Sequence, residues 1–198
     1  MSHERFQNPN YRPEEWFKKE EPLLDGSSGI PIVDAANKLN KEILVDPLTH
    51  CYNLNYFNRF KNENSDSNRN HNKIGFIFID LNNLKEINDT FGHLYGDQLI
   101  VETIAYLKST FRKGDEIVRI GGDEFIIICH NDDNHQNFGD ELLSRAQTIC
   151  KGSPKSISFA FGVAVFDKEI DENLDNTQKR ADELMYICKN KMKAKIKA

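Results

Sequence analysis

The sequence predicts an α+β fold with a mainly antiparallel sheet, and three observations carry that expectation. β-rich apolar runs at 73–79, 116–120, 125–129 and 156–166 alternate with stretches of helical periodicity at 95–111, 139–150 and 176–190. Two of those runs flank a Gly-Gly turn at Gly121 and Gly122, which makes them a hairpin. The order from residue 73 is strand, helix, two hairpin strands, helix, strand, helix, close to the split β-α-β arrangement of ferredoxin-like domains.

Each element has its own local warrant. Residues 1–31 hold Pro9, Pro13, Pro22 and Pro31 with Gly26, Ser27, Ser28 and Gly29, so they read as an irregular arm. Its Phe6, Tyr11, Trp16 and Phe17 suit docking on the domain or on a partner. Val33, Ala36, Leu39, Ile43 and Leu44 recur at helical spacing and predict a helix over 32–45, closed by Asp46-Pro47. Leu54 to Phe60 predicts a second helix, and the Asn/Ser-rich stretch Lys61 to Asn72 a mobile loop. Lys73 to Ile79 is a buried strand that stops at Asp80. Tyr95 to Phe111 is a helix with Leu99, Ile100, Thr103, Ile104 and Leu107 on one face, and the hairpin, two further helices and a strand at 156–166 follow. The domain boundary falls at residue 45, leaving 46–198 as the main domain.

Composition narrows the function. A chain of 198 residues suits one main domain with an extension. A net charge of -5 and pI near 5.7 exclude a broad basic surface for nucleic acid polymers. The longest apolar runs fall far short of the roughly 18 residues of a membrane span. The N-terminus lacks a secretory apolar core, which predicts a cytoplasmic address. Cys51, Cys129, Cys150 and Cys188 are scattered without metal-ligand spacing and read as reduced thiols, mostly small buried hydrophobes.

The chemistry centres on carboxylates. Asp80 ends a buried strand, and Asp123 with Glu124 caps a hairpin in the same sheet, so three carboxylates can converge. Such charges repel unless a cation neutralises them, and hard oxygens that leave room for water and phosphate suit magnesium. Gly121 and Gly122 allow positive φ and close approach of a nucleotide. Each part alone is also ordinary turn chemistry.

Five ordered blocks together are far more specific. Asp46-Pro47-Leu48-Thr49 with Asn53 and Phe57 opens the pattern; Phe78-Ile79-Asp80-Leu81 with Lys85 and Ile87-Asn88-Asp89 follows; Phe91-Gly92-His93 and Gly96-Asp97 continue it. Arg119 to Phe125 supplies Gly-Gly-Asp-Glu-Phe, and Ala181-Asp182, Met185-Tyr186 and Lys189 end it. The chain resembles the GGDEF family of diguanylate cyclases over about residues 46–193. That resemblance implies a palm-type core and a bacterial signalling enzyme that joins two GTP into cyclic di-GMP and releases two pyrophosphates. It implies that Asp80, the Leu81 carbonyl, Asp123 and Glu124 hold Mg2+ (or Mn2+), with Asp123 accepting the proton of the attacking 3′-hydroxyl. Asn88 and Asp97 would read the guanine edge with His93 nearby, while Lys85, Lys189 and Lys193 would meet the triphosphate. Arg112 and Asp115 match the family's R-x-x-D inhibitory site for cyclic di-GMP.

The bland alternatives stay open at this stage. Asn88 and Asp97 are compatible with helix caps, Arg112 and Asp115 with a salt-bridged helix end, and the lysines from 189 to 197 with a solvated terminus. His50, Leu54, Asn82, Leu84 and Met192-Lys193 depart from the family's usual residues; Lys193 in place of Arg lacks a bidentate phosphate grip. Two rival functions are a silent module that senses cyclic di-GMP and a cyclase of mixed nucleotide specificity. The intact carboxylates argue against the first, and Asp97 against the second, because a carboxylate accepts from guanine N1–H and N2–H₂. One GTP per domain and two in the product call for a homodimer. The 32–45 helix either pairs with its twin or packs on the domain.

Overall fold

The computed structural model describes residues 43–64, 74–131 and 135–196. Five strands form one sheet: β1 (Tyr52–Asn53), β2 (Ile74–Leu81), β3 (Glu116–Arg119), β4 (Glu124–His130) and β5 (Phe159–Val165). The helices are α1 (Leu54–Glu63), α2 (Leu84–Phe91), α3 (His93–Thr110), α4 (Phe138–Gly152) and α5 (Leu174–Ile196). The strand order is β1-β3-β4-β2-β5, all antiparallel except β1 against β3. The α+β expectation is met, with the ferredoxin-like order β3-β4-β2-β5 at its centre.

The alternation along β2 explains the layers. Ile77, Ile79 and Leu81 face one core with Leu99, Ile104 and Leu107 of α3 and Leu142 and Ala146 of α4. Phe76 and Phe78 face the other, with Phe57 of α1 and Leu174, Ala181 and Met185 of α5. Both faces are covered, so β2 reads as a continuous buried run. Its next even position is Asp80, which therefore points toward the α5 side, where a charge is least expected.

Glycine sets how close α5 comes. Gly162 of β5 pairs with Phe78. A Cβ there would lie 2.1 Å from the Ala181 carbonyl oxygen and 2.2 Å from the Met185 amide nitrogen. The helix backbone thus rests directly on the strand.

Several sequence expectations need correction. The strand at 73–79 does not stop before Asp80: it runs through Leu81, and Asp80 pairs with Glu124 and Ala160. The residues after it form α2, a helix that no periodic run announces. Its N-cap Asn83 sits at φ 65 without a side-chain capping bond, so no start pattern marked it. β1 was also missed, since two residues carry no alternation. The long helix begins at His93 rather than Tyr95, and the second at Leu54 runs to Glu63, into the stretch read as a loop. The strand placed at 156–166 begins at Phe159, because Pro154 to Ile157 closes a turn through a 2.8 Å bond. The last helix continues to Ile196, since Lys, Met and Ala propagate helices well. Positions 43 and 44 are helical and Val45 bridges Tyr52, while most of the helix read at 32–45 and the whole arm lie outside the described residues.

Candidate active site

Asp80 is 5% exposed near the end of β2, directly across from Glu124. The two share a face of the sheet because Ile126 and Ile128, two and four residues beyond Glu124, line the same core as Phe76 and Phe78. The Leu81 amide donates to the Asp123 carbonyl at 2.9 Å, and so ties the turn to the strand that carries Asp80.

Arg119 holds that turn from behind. It donates from Nε to the Gly121 carbonyl at 3.1 Å and from Nη2 to the Gly122 carbonyl at 2.9 Å. Its Nη1 reaches Asp46 at 3.1 Å, and Asp46 also accepts from the Thr49 amide and hydroxyl. Burial raises the Asp46 pKa, but the bonds from Thr49 and Arg119 outweigh it and hold the carboxyl below its ordinary range. Sequence reading noted both residues as parts of a pattern and missed that they form one clamp. Arg119 and Asp46 lie 73 positions apart, a separation that no local rule bridges.

The two turn glycines act differently from expectation. Neither is in the positive-φ region, where Gly92 is the one glycine among the described residues. Their contribution is space: a Cβ at Gly122 would meet nothing within 4 Å, whereas one at Gly121 would come within 2.8 Å of Glu124 Oε2. The path over the turn is open.

Charge in the site is unbalanced. The Glu124 carboxyl is pushed upward, first by burial and then by the fields of Asp123, Asp80 and Asp182, against a partial offset from Lys189. Asp182, exposed on α5, is likewise raised, first by partial desolvation and then by Glu183 and Asp80. Lys189 of α5 donates to both oxygens of Asp80 at 2.6 Å. Asp182 was overlooked as a site residue, although it precedes Lys189 by seven positions and so lies on the same helical face. Among the described residues no group of three or more His, Cys, Asp or Glu side chains is arranged to hold a metal ion unaided. The carboxylates of Asp80, Asp123 and Glu124 are near enough for their charges to act on one another, but they do not form a ready-made ligand cage. A buried carboxylate, a carboxylate across the ladder and nearby main-chain oxygens still fit magnesium, which is held by one or two carboxylates plus substrate phosphates rather than by a full protein cage.

The remaining predicted residues lie on α2 and α3. Lys85, His93 and Asp97 are exposed. Asn88 is half-buried inside α2, and Asp97 is in the fifth position of α3, so neither caps a helix. The Asn88 carboxamide oxygen is buried without a hydrogen-bond partner. It rests where a side chain at Gly96 would be, since a Cβ there would come within 1.9 Å of it. Lys193 is exposed on α5.

Arg112 and Asp115 belong to a separate cluster. The Arg112 guanidinium pairs with Glu141 of α4, and its amide donates to Asp115 at 3.1 Å. Arg145 bonds Asp115 at 2.8 Å and Glu141 at 3.0 Å. The four cysteines are free thiols, with Cys51 and Cys129 fully buried. No helix among the described residues is long and apolar enough to cross a membrane.

Comparison with known proteins identifies the family and the fold. The family model "Diguanylate cyclase, GGDEF domain" matches residues 43–195, and the chain belongs to the GGDEF diguanylate cyclase family. It is 28% identical to the diguanylate cyclase DosC of Escherichia coli K12 over 162 residues, covering 78% of this chain and 35% of DosC. The diguanylate cyclase SiaD of Pseudomonas aeruginosa, solved with its activator SiaC, superposes with a TM-score of 0.65 at 26% identity over 81% of this chain and 63% of SiaD. A microbial GGDEF domain solved with cyclic di-GMP gives 0.60 at 29% identity, over 77% of this chain and 94% of that one. The chain spans between about a quarter and a half of the length of the curated relatives it matches.

Proposed function

We propose that this chain is a diguanylate cyclase that condenses two GTP into cyclic di-GMP and two pyrophosphates, dependent on magnesium or manganese. The observation that carries the reading is the buried Asp80 set opposite Glu124, beside a Gly-Gly-Asp-Glu-Phe turn clamped by Arg119. Asp80, the Leu81 carbonyl, Asp123 and Glu124 would hold the metal. When bound, it neutralises phosphate charge and polarises the α-phosphorus.

The chain's own groups supply the rest. Asp123 accepts the 3′-hydroxyl proton. Lys85, Lys189 and Lys193 meet triphosphate oxygens, and the open turn at Gly121 and Gly122 admits the nucleotide. Asn88 and Asp97 read the guanine edge beside His93, the Asn88 carboxamide turning out of its buried seat against Gly96 to do so. Two half-sites face each other in a homodimer so that each 3′-hydroxyl meets the other α-phosphorus. A nucleoside triphosphate substrate places the reaction in the cytoplasm. Cyclic di-GMP inhibits by engaging Arg112 and Asp115, with the Arg112 side chain half-exposed and free to exchange Glu141 for a phosphate.

Purified protein incubated with GTP, with ATP and with their mixture in the presence of Mg2+ or Mn2+ should yield cyclic di-GMP from GTP, identified by mass. Asp123→Asn should lower the rate by at least about 100-fold with the fold intact, the scale typical of a transition-state electrostatic group. Turnover of that variant at the parent rate would remove Asp123 from the mechanism.

A further inference from the structure

We propose that Lys189 is an internal competitor for the metal, lodged on Asp80 until a nucleotide's phosphates draw it away, so that metal and nucleotide bind cooperatively. The inference rests on the cyclase reading and adds to it an order of events.

The argument begins with the contact. The Lys189 ammonium bonds both Asp80 oxygens at 2.6 Å, and the Asp80 side chain is 8% exposed against 24% for Lys189. A cation that binds Asp80 between its two oxygens meets the lone pairs the ammonium now uses, and an ammonium this close repels a divalent ion. Each weakens the other's hold on the carboxylate.

The helix cannot withdraw to resolve the conflict. α5 lies backbone to backbone on β5 at Gly162, one to two turns before Lys189. Lys189 must move by rotating its own side chain, and an ammonium that gives up a bidentate contact with a buried carboxylate does so at lower cost when another anion receives it than when water does. Triphosphate oxygens provide one. Metal alone then has to displace a paired cation, whereas metal with nucleotide exchanges one ion pair for another. By linkage, the nucleotide also binds more tightly when metal is present.

Mn2+ titration followed by its electron paramagnetic resonance signal tests this without turnover. In nucleotide-free protein at physiological salt, Lys189→Met should bind Mn2+ about tenfold tighter than the parent, the factor that one charge-assisted pair commands. Lys191→Met, which removes an equal and exposed charge from α5 at a position with no assigned role, should stay within about threefold because salt screens it. A non-hydrolysable GTP analogue should tighten Mn2+ binding to the parent by about tenfold or more and to Lys189→Met by clearly less. Equal or weaker Mn2+ binding by nucleotide-free Lys189→Met would overturn the competitor, as would an equal gain in both Lys variants. If instead neither parent nor variants bound Mn2+ with or without the analogue, the metal site itself, and the cyclase reading with it, would fall.

Discussion

Two charged clusters lie at opposite ends of the same pair of strands, and they are built on opposite principles. At the junction of α3, β3 and α4, Arg112, Asp115, Glu141 and Arg145 alternate in sign and satisfy one another. At the turn between β3 and β4, the ammonium of Lys189 is the one offsetting cation seen among the described residues against Asp80, Asp123, Glu124 and Asp182, and the Glu124 and Asp182 carboxyls are pushed upward. The first cluster is complete as it stands. The second holds more negative charge than its own residues neutralise, which is the condition of a site that takes up a cationic ligand.

Breaking the complete cluster should have the larger effect on stability. Arg145→Ala removes two bonds and leaves Asp115, whose side chain is 4% exposed, without its guanidinium partner. The expected loss is about 3 kcal/mol of unfolding free energy in urea. A loss under about 0.5 kcal/mol would show that the cluster is screened like a surface pair.

The clamp behind the turn lies between the two extremes. Asp46→Asn weakens its bonds to Arg119 and Thr49 and should cost about 1–2 kcal/mol at pH 7. Because the Asp46 pKa is lowered in the fold, its contribution is present above the unfolded carboxylate range and is lost as pH falls through the folded value. Parent and variant should draw together in thermal melts as pH falls below the ordinary carboxylate range, and a gap that stayed constant through that fall would assign the effect to packing instead of charge.

The unbalanced cluster predicts a small effect of opposite sign. A carboxyl whose pKa is raised by folding stabilises the fold while protonated and loses that contribution as pH rises through its folded value. Charged Glu124 is therefore a cost at pH 7 in the absence of metal. Glu124→Gln should raise Tm there by a degree or two, with no gain at pH 4. A lower Tm at pH 7 would mean that Glu124 is balanced by a group that acts on it more strongly than Lys189.

The same contrast explains what the sequence made legible. The Gly121 to Phe125 turn, the buried run from Ile74 and the face of α3 follow local rules of period and turn chemistry, and they stand where expected. Asp80 and Glu124 were placed in one sheet by the hairpin argument, and the ladder pairs them directly. What local rules could not reach were contacts made by the folded register: Arg119 on Asp46, Lys189 on Asp80 and the Arg112 to Arg145 network, spanning 73, 109 and about 30 positions. β1 and α2 escaped for a different reason, since two residues hold no period and a cap at φ 65 without a capping side chain gives no start. Of the two reasons for glycine in the turn, positive φ and close approach, the backbone uses no positive φ there, and Gly122 leaves open space.

The seat of α5 on Gly162 makes the strand a datum plane for the whole helix. With clearances of 2.1 and 2.2 Å to a hypothetical methyl, even alanine at 162 would have to lift the rod by more than an ångström at that point. Lys189 lies about 6 Å along the axis from Met185, so a tilt pivoting at the strand would carry its ammonium out of register with a carboxylate it now meets at 2.6 Å. A residue with no charge, no polar side chain and no place in the turn thereby sets the tolerance of the ionic machinery.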